Sequence, residues 1–302
     1  MIIVVGSTQG GVSKSTNATN LAAALANKSD DVCMVAGDKN FRTTPRWAED
    51  RAETDLPKIT FIEQLGDLNK LLLELDKKFK YVIVDPAGKD SREFRTALAV
   101  SHVSIVPVAP TQADVDNMKD LTMVLATAQQ LNPSLQVYVL LTRASTNLKS
   151  HDVTSARALL ADYDEFTVLN AVMYERNIYR EALGSGRGVM EVHRSPSKIR
   201  DKQLATAEIE SILQEIMSLC SPQPSETTAV IKEFTSSADT PKTQQLVQMP
   251  APDAPRNRRT QYLFNDYEHD LIYRAAKATD RSMQAFMRRA VLQGARKVLG
   301  ED

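Results

Sequence analysis

Residues 4–16 read Val-Val-Gly-Ser-Thr-Gln-Gly-Gly-Val-Ser-Lys-Ser-Thr, between an apolar run at 1–5 and an alanine-rich helical run that ends near Asn27. Glycines, a lysine and hydroxyls at the junction of a strand and a helix are suited to holding a polyphosphate. The backbone N–H groups of Gly10, Gly11, Val12 and Ser13, together with those of the new helix at Ser15 and Thr16, can surround phosphate oxygens. Lys14 then meets the outer phosphates, and the Ser15 hydroxyl can hold Mg²⁺. The general motif has glycine immediately before the lysine, and this chain has Ser13 there. If that position needs φ > 0, serine costs roughly 1 kcal/mol or more. The plain alternative is a Gly/Ser turn carrying a surface lysine; the placement between strand and helix argues against it. A second candidate is Asp85, which follows the apolar run 81–84 and opens Asp85-Pro86-Ala87-Gly88. A carboxylate at a strand's C-terminal end, beside a phosphate loop, can hold Mg²⁺ through water. Taken alone it reads equally well as a turn residue.

Gln9-Gly10-Gly11-Val12-Ser13-Lys14-Ser15-Thr16 resembles the deviant Walker A loop of the ParA/MinD ATPases, Lys-Gly-Gly-x-Gly-Lys-Ser/Thr-Thr, and the helical run after it is similar to that family's first helix. The resemblance spans roughly residues 1–220. It implies that ATP is bound at Gly10 through Thr16 with Asp38 and Asp85, and that Mg²⁺ sits on Ser15 and Asp85. It also implies a homodimer. In the family the first lysine of the loop reaches across an ATP-sandwiched dimer, and here Gln9 stands in its place, without charge. The second strand of the family ends Asp-x-Asp-Pro-Gln, and its first aspartate helps position the attacking water. This chain reads Ala36-Gly37-Asp38-Lys39-Asn40, so only the second acid is kept. A missing cationic contact costs phosphoryl transfer orders of magnitude in rate. The expectation is an ATP·Mg²⁺ switch whose hydrolysis is slow or absent, with no catalytic residue assigned.

These residues need a scaffold. Strand character at 1–5, 32–36, 59–62, 81–84, 103–108, 136–142 and 166–169 alternates with helical periodicity at 16–27, 66–79, 114–131, 153–163 and 201–219. Several strands are unbroken Val/Ile/Leu runs, as expected when helices cover both faces of a parallel sheet. The order predicts a doubly wound, mostly parallel α/β domain over residues 1–220, with its ligand at the C-terminal strand edge. Two further segments echo the family. Val106 through Thr111 and Leu140 through Arg143 resemble its late loops, which line base and ribose, although either reads equally as a strand exit. The stretch with Arg176, Arg180, Arg187, Arg194, Lys198, Arg200 and Lys202 is similar to the region through which ParA proteins bind DNA without sequence preference; a solvated helix face is the alternative.

Residues 221–257 lose periodicity and are rich in proline and polar side chains, which predicts a flexible linker. Order is expected to resume at 258–302 as strand, helix, turn and helix, which resembles a ribbon-helix-helix domain of the kind found in ParG-like centromere-binding proteins. That fold needs a second copy to complete its ribbon and core. With Tyr262 and Phe264 facing inward, Arg259, Gln261 and Leu263 face a major groove, and the helix start at Arg281 and Ser282 grips phosphate. Residues 255–302 hold ten Lys/Arg against six Asp/Glu, a net charge of about +4 within a chain whose total is −1. A helical dimerisation tail is the alternative.

The remaining composition narrows the setting. Two cysteines, Cys33 and Cys220, make neither a disulfide framework nor a metal set. The first residues enter a strand without a signal-like or spanning stretch, so a cytoplasmic protein with no membrane association is expected. The reading is an ATP-dependent partition or DNA-processing switch of a plasmid or mobile element, with DNA, a second copy and partition or conjugation proteins as partners. A transcriptional autoregulator with a structural pseudo-ATPase domain is the competing reading. A metabolic ATPase or kinase is disfavoured by Gln9 and Ala36.

Overall fold

The computed structural model describes residues 1–38, 41–88, 90–147 and 149–220. Seven strands form one sheet: β1 (Ile2–Val5), β2 (Val32–Gly37), β3 (Thr60–Glu63), β4 (Tyr81–Pro86), β5 (Val103–Val108), β6 (Gln136–Ala144) and β7 (Thr167–Tyr174). Their spatial order is β3-β2-β4-β1-β5-β6-β7, and every pairing is parallel. Chain order reverses direction across β1, which lies between β4 and β5. The loop leaving β1 therefore opens at the crevice where such sheets bind ligands.

Alternation along the central strands builds two cores, one on each face of the sheet. Ile3 and Val5 of β1, Met34 of β2 and Ile83 of β4 face one core; Ile2, Val4, Cys33 and Val84 face the other. The first core is closed by α1 (Lys14–Asn27), α8 (Asn177–Leu183) and α9 (Ile199–Cys220), through Leu21, Ile178 and Ile209 among others. The second is closed by α3 (Asn69–Asp76), α4 (Arg92–Leu98) and α6 (Met118–Leu131), with Leu72, Phe94 and Leu125 buried. Three further α-helices belong to the described domain: α2 (Thr43–Ala52), α5 (Gln112–Asp116) and α7 (Asp152–Leu160).

The expected parallel α/β domain is present, with differences at particular elements. α2 and α4 escape periodicity because they are short and polar. Of α2's ten residues, Thr44, Pro45, Trp47 and Arg51 are buried, a set that no apolar stripe announces. α4 starts at Ser91, whose hydroxyl accepts the Phe94 N–H at 3.1 Å. The helix expected over 114–131 is two, α5 and α6, with a turn at Asn117 between them. β7 runs five residues further than the expected strand end, because as a sheet edge it alternates between buried and exposed positions instead of forming one apolar run. The linker and the ribbon-helix-helix segment, with Arg259, Gln261, Leu263, Arg281 and Ser282, lie outside the described residues.

Candidate phosphate-binding site

The loop after β1 has the backbone that its sequence made conditional. Ser13 sits at φ 65, in the left-handed region, and Gly11 at φ 77. Serine therefore occupies a conformation that glycine adopts without penalty. Ser13 is also the N-cap of α1 and makes no side-chain cap. The first N–H groups of that helix are left for another acceptor, which is what an anion site at a helix start requires.

Lys14 is 9% exposed, and its ammonium donates to the Gln9 carbonyl at 2.5 Å. Burial pushes its pKa down, and the nearby carboxylates of Asp85 and Asp38 only partly restore it. Opposite stands Gly88, whose missing side chain is what admits the lysine: a Cβ there lies 2.7 Å from Lys14 Nζ. Asp85, 4% exposed, ends β4 directly beside Ala36 of β2 in the ladder. The Thr44 hydroxyl donates to its Oδ2, and Oδ1 is buried without a hydrogen-bond partner. Burial raises the Asp85 pKa; Thr44, Ser15 and Lys14 pull the other way, and Asp38 adds to the rise. A buried ammonium lacking a strong anion and a buried carboxylate oxygen lacking a donor are complementary to a polyphosphate bearing a cation. Ser15 and Asp85 therefore fit the hydroxyl-plus-carboxylate pair from which Mg²⁺ is held alongside phosphates.

The loop opens into a cleft of about 690 Å³ whose lining includes Gly10, Gly11, Ser13, Lys14, Ser15 and Thr16, with Asp85 buried behind its neighbour Pro86, which lines it. Asp38 also lines it, and accepts the Phe41 N–H at 3.1 Å. Val12 instead lies beneath the loop, 2% exposed, with its carbonyl taking the Thr142 hydroxyl. The outer wall includes Arg143, which ends the segment Leu140 through Arg143 expected to line base and ribose, and Arg180 of the basic stretch; Glu175 and Phe41 in the same wall were not assigned as site residues. Arg143, itself at φ 55, donates to the Gly11 carbonyl at 3.1 Å and pairs with Glu175 at 3.7 Å; Arg180 pairs with the same carboxylate at 3.2 Å. Phe41, 72% exposed, stands at the rim. Thr44 was missed too; its one local signal is the Thr43-Thr44-Pro45 helix start, which says nothing about the distant Asp85.

Gln9 is turned into its own chain. Its side-chain amide donates to the Asp114 carbonyl of the same chain at 3.1 Å. Three of the seven basic residues of the stretch are paired within the described domain. Arg176, 14% exposed, pairs with Glu208 at 2.8 Å and Asp201 at 3.4 Å, Arg180 with Glu175, and Arg194 with Glu181 at 2.7 Å. Lys198 and Arg200 remain on an exposed surface before and at the start of α9. No helix among the described residues is long and apolar enough to cross a membrane.

Sheet order, a left-handed loop after β1 and a lysine set against a Walker B-like aspartate define the P-loop α/β class, in its ParA/MinD-like form. Within it, the sequence matches the VirC1 protein family over residues 1–224, and the chain belongs to that family. Protein ParA of Rhizobium radiobacter is 26% identical over 182 residues, covering 59% of this chain and 80% of that one. Among solved structures, apo McdA of Cyanthece superposes with a TM-score of 0.56 at 14% identity, over 70% of this chain and 98% of that chain. The putative plasmid partition protein of Borrelia burgdorferi B31, solved with AMPPNP, gives 0.52 at 18% identity over 70% and 98%. MinD of Pyrococcus furiosus, a cell division ATPase, gives 0.53 at 18% over 72% and 98%. These structures share the fold.

Proposed function

We propose that the chain is an ATP·Mg²⁺-binding switch that acts on plasmid or other mobile-element DNA, dimeric when loaded and slow to hydrolyse its nucleotide. The observation that carries the reading is the placement of buried Lys14 near buried Asp85, with Ser15 beside them, at a loop whose helix start has no side-chain cap. Membership of the VirC1 family supports it, as do the plasmid-partition descriptions of relatives that share the fold. Bound nucleotide places its outer phosphates on Lys14 and the loop amides. Mg²⁺ on Ser15 and Asp85 supplies charge neutralisation of those phosphates when bound.

Slow turnover is argued from two positions. Ala36 leaves no carboxylate beside Asp85 to orient water, and Gln9 is neutral and engaged with Asp114. Positioning and charge stabilisation are the main contributions a protein makes to this chemistry. DNA recognition is assigned to residues 258–302, with Arg259, Gln261 and Leu263 reading bases and Arg281 and Ser282 holding phosphate. In the 176–202 stretch Arg176, Arg180 and Arg194 are held in internal ion pairs, which leaves it fewer free cations for DNA than its composition suggests. Phosphate release and a gel shift against the gene's own upstream DNA, each with and without ATP, test the proposal together. The expected result is DNA retention that depends on ATP, with phosphate release barely above background. Brisk turnover contradicts the slow-switch reading, and DNA binding indifferent to ATP favours the autoregulator with a structural nucleotide domain.

A further inference from the structure

We infer that Thr44 is a positioning residue for the metal-facing carboxylate: by donating to Asp85 Oδ2 it fixes which oxygen, Oδ1, is presented to a cation beside Ser15. The inference rests on the reading of the cleft as a nucleotide·Mg²⁺ site. A threonine hydroxyl has one proton to give, and this one is given to a buried carboxylate from a side chain that is itself 2% exposed. Oδ1 remains buried and without a hydrogen bond, an arrangement that proteins seldom keep unless something else satisfies the atom.

The donor is held there by the whole of α2. Thr44 is the helix's second residue, and the far end is anchored twice: Trp47 Nε1 donates to the Arg187 carbonyl at 3.0 Å, and Arg51 pairs with Glu191 at 2.8 Å. The hydroxyl is thus delivered by a rigid element fixed at a distance, and the carboxylate cannot turn freely toward Lys14, whose charge also draws it. Loss of the hydroxyl frees Asp85 to rotate and to close the metal position with its own second oxygen. Removal of such an outer partner typically lowers metal affinity about 10–100-fold.

The test is the affinity of the full chain for a fluorescent ADP analogue, titrated across Mg²⁺ concentration and also in EDTA, for wild type, Thr44→Ser and Thr44→Val. Thermal melts of all three show whether each is folded. Thr44→Ser is expected to follow wild type. Thr44→Val is expected to need about tenfold more Mg²⁺ or beyond to reach half its affinity gain, while its metal-free affinity stays unchanged. Equal Mg²⁺ dependence of all three overturns the inference, as does an equal loss with and without Mg²⁺, which marks a merely structural role. If Thr44→Val does not fold, Thr44→Ala replaces it with the same expectation. Mg²⁺-dependent wild-type binding with an unshifted Thr44→Val overturns this inference alone; wild type that binds nucleotide with no Mg²⁺ dependence overturns the metal half of the site reading, and wild type that binds no nucleotide overturns all of it, each taking this inference with it.

Discussion

Ser13 carries the clearest tension between residue and role. The sequence exposed it, because the motif asks for glycine there, and its φ of 65 shows that the conformational demand is real. A non-glycine residue in the left-handed region costs about 1–2 kcal/mol, part of which glycine gives back through its greater freedom when unfolded. Ser13→Gly is therefore expected to raise unfolding free energy by up to about 1 kcal/mol, read as a higher denaturant midpoint with an unchanged slope. A lower midpoint contradicts the assignment of strain to this residue. The rest of the loop was legible for the same reason: Gly10, Gly11, Lys14 and Ser15 fall within one six-residue stretch, and local geometry follows from local sequence. Thr44 was not legible as a site residue. It acts through a partner far along the chain, Asp85, and no spacing encodes that meeting.

At the scale of elements, α2 shows what polar composition hides. It is held by a buried ion pair: the Arg51 and Glu191 side chains are 5% and 3% exposed, and Arg51 also donates to the carbonyls of Gly186 and Pro57. Gly186 is at φ 66, and a Cβ there lies 2.3 Å from the Arg51 backbone nitrogen, so the loop admits only glycine. Burial pushes the Glu191 carboxyl up, but Arg51, the Gly188 N–H and the Asn27 amide outweigh it and hold the group below its ordinary range. A carboxyl whose folded pKa is depressed contributes stability that is fully present above its unfolded pKa, near about 4.3, and is lost as pH falls through the lower folded value. Arg51→Met removes one partner and strands the other, and is expected to cost about 3–5 kcal/mol at neutral pH, with a smaller loss in acid as Glu191 protonates. Denaturation curves at pH 7 and pH 4 check it; a cost that does not shrink in acid contradicts the assignment. Strands β1, β2, β4 and β5, by contrast, were legible to within two residues, because they are mainly apolar runs buried on both faces.

At the scale of the molecule, the alternation of strands and helices was enough to place the ligand crevice, since sheet order follows from right-handed crossovers. The sequence could not show that part of the basic stretch is paired, because Arg176 finds Glu208 and Arg194 finds Glu181 only in the folded domain. Both cores close within residues 1–220, so a fragment ending at Cys220 is expected to unfold cooperatively and to keep the nucleotide affinity of the full chain. Limited proteolysis is expected to cut first between 221 and 257, and preferential cutting inside the sheet domain contradicts that boundary. The central claim is that the loop after β1 is a nucleotide site acting through Lys14, and calorimetry of ATP·Mg²⁺ binding to wild type and Lys14→Ala tests it most directly. The account predicts saturable one-site binding to wild type and none detectable for a Lys14→Ala protein of unchanged melting temperature. Equal binding by both proteins, or no binding by wild type, contradicts it.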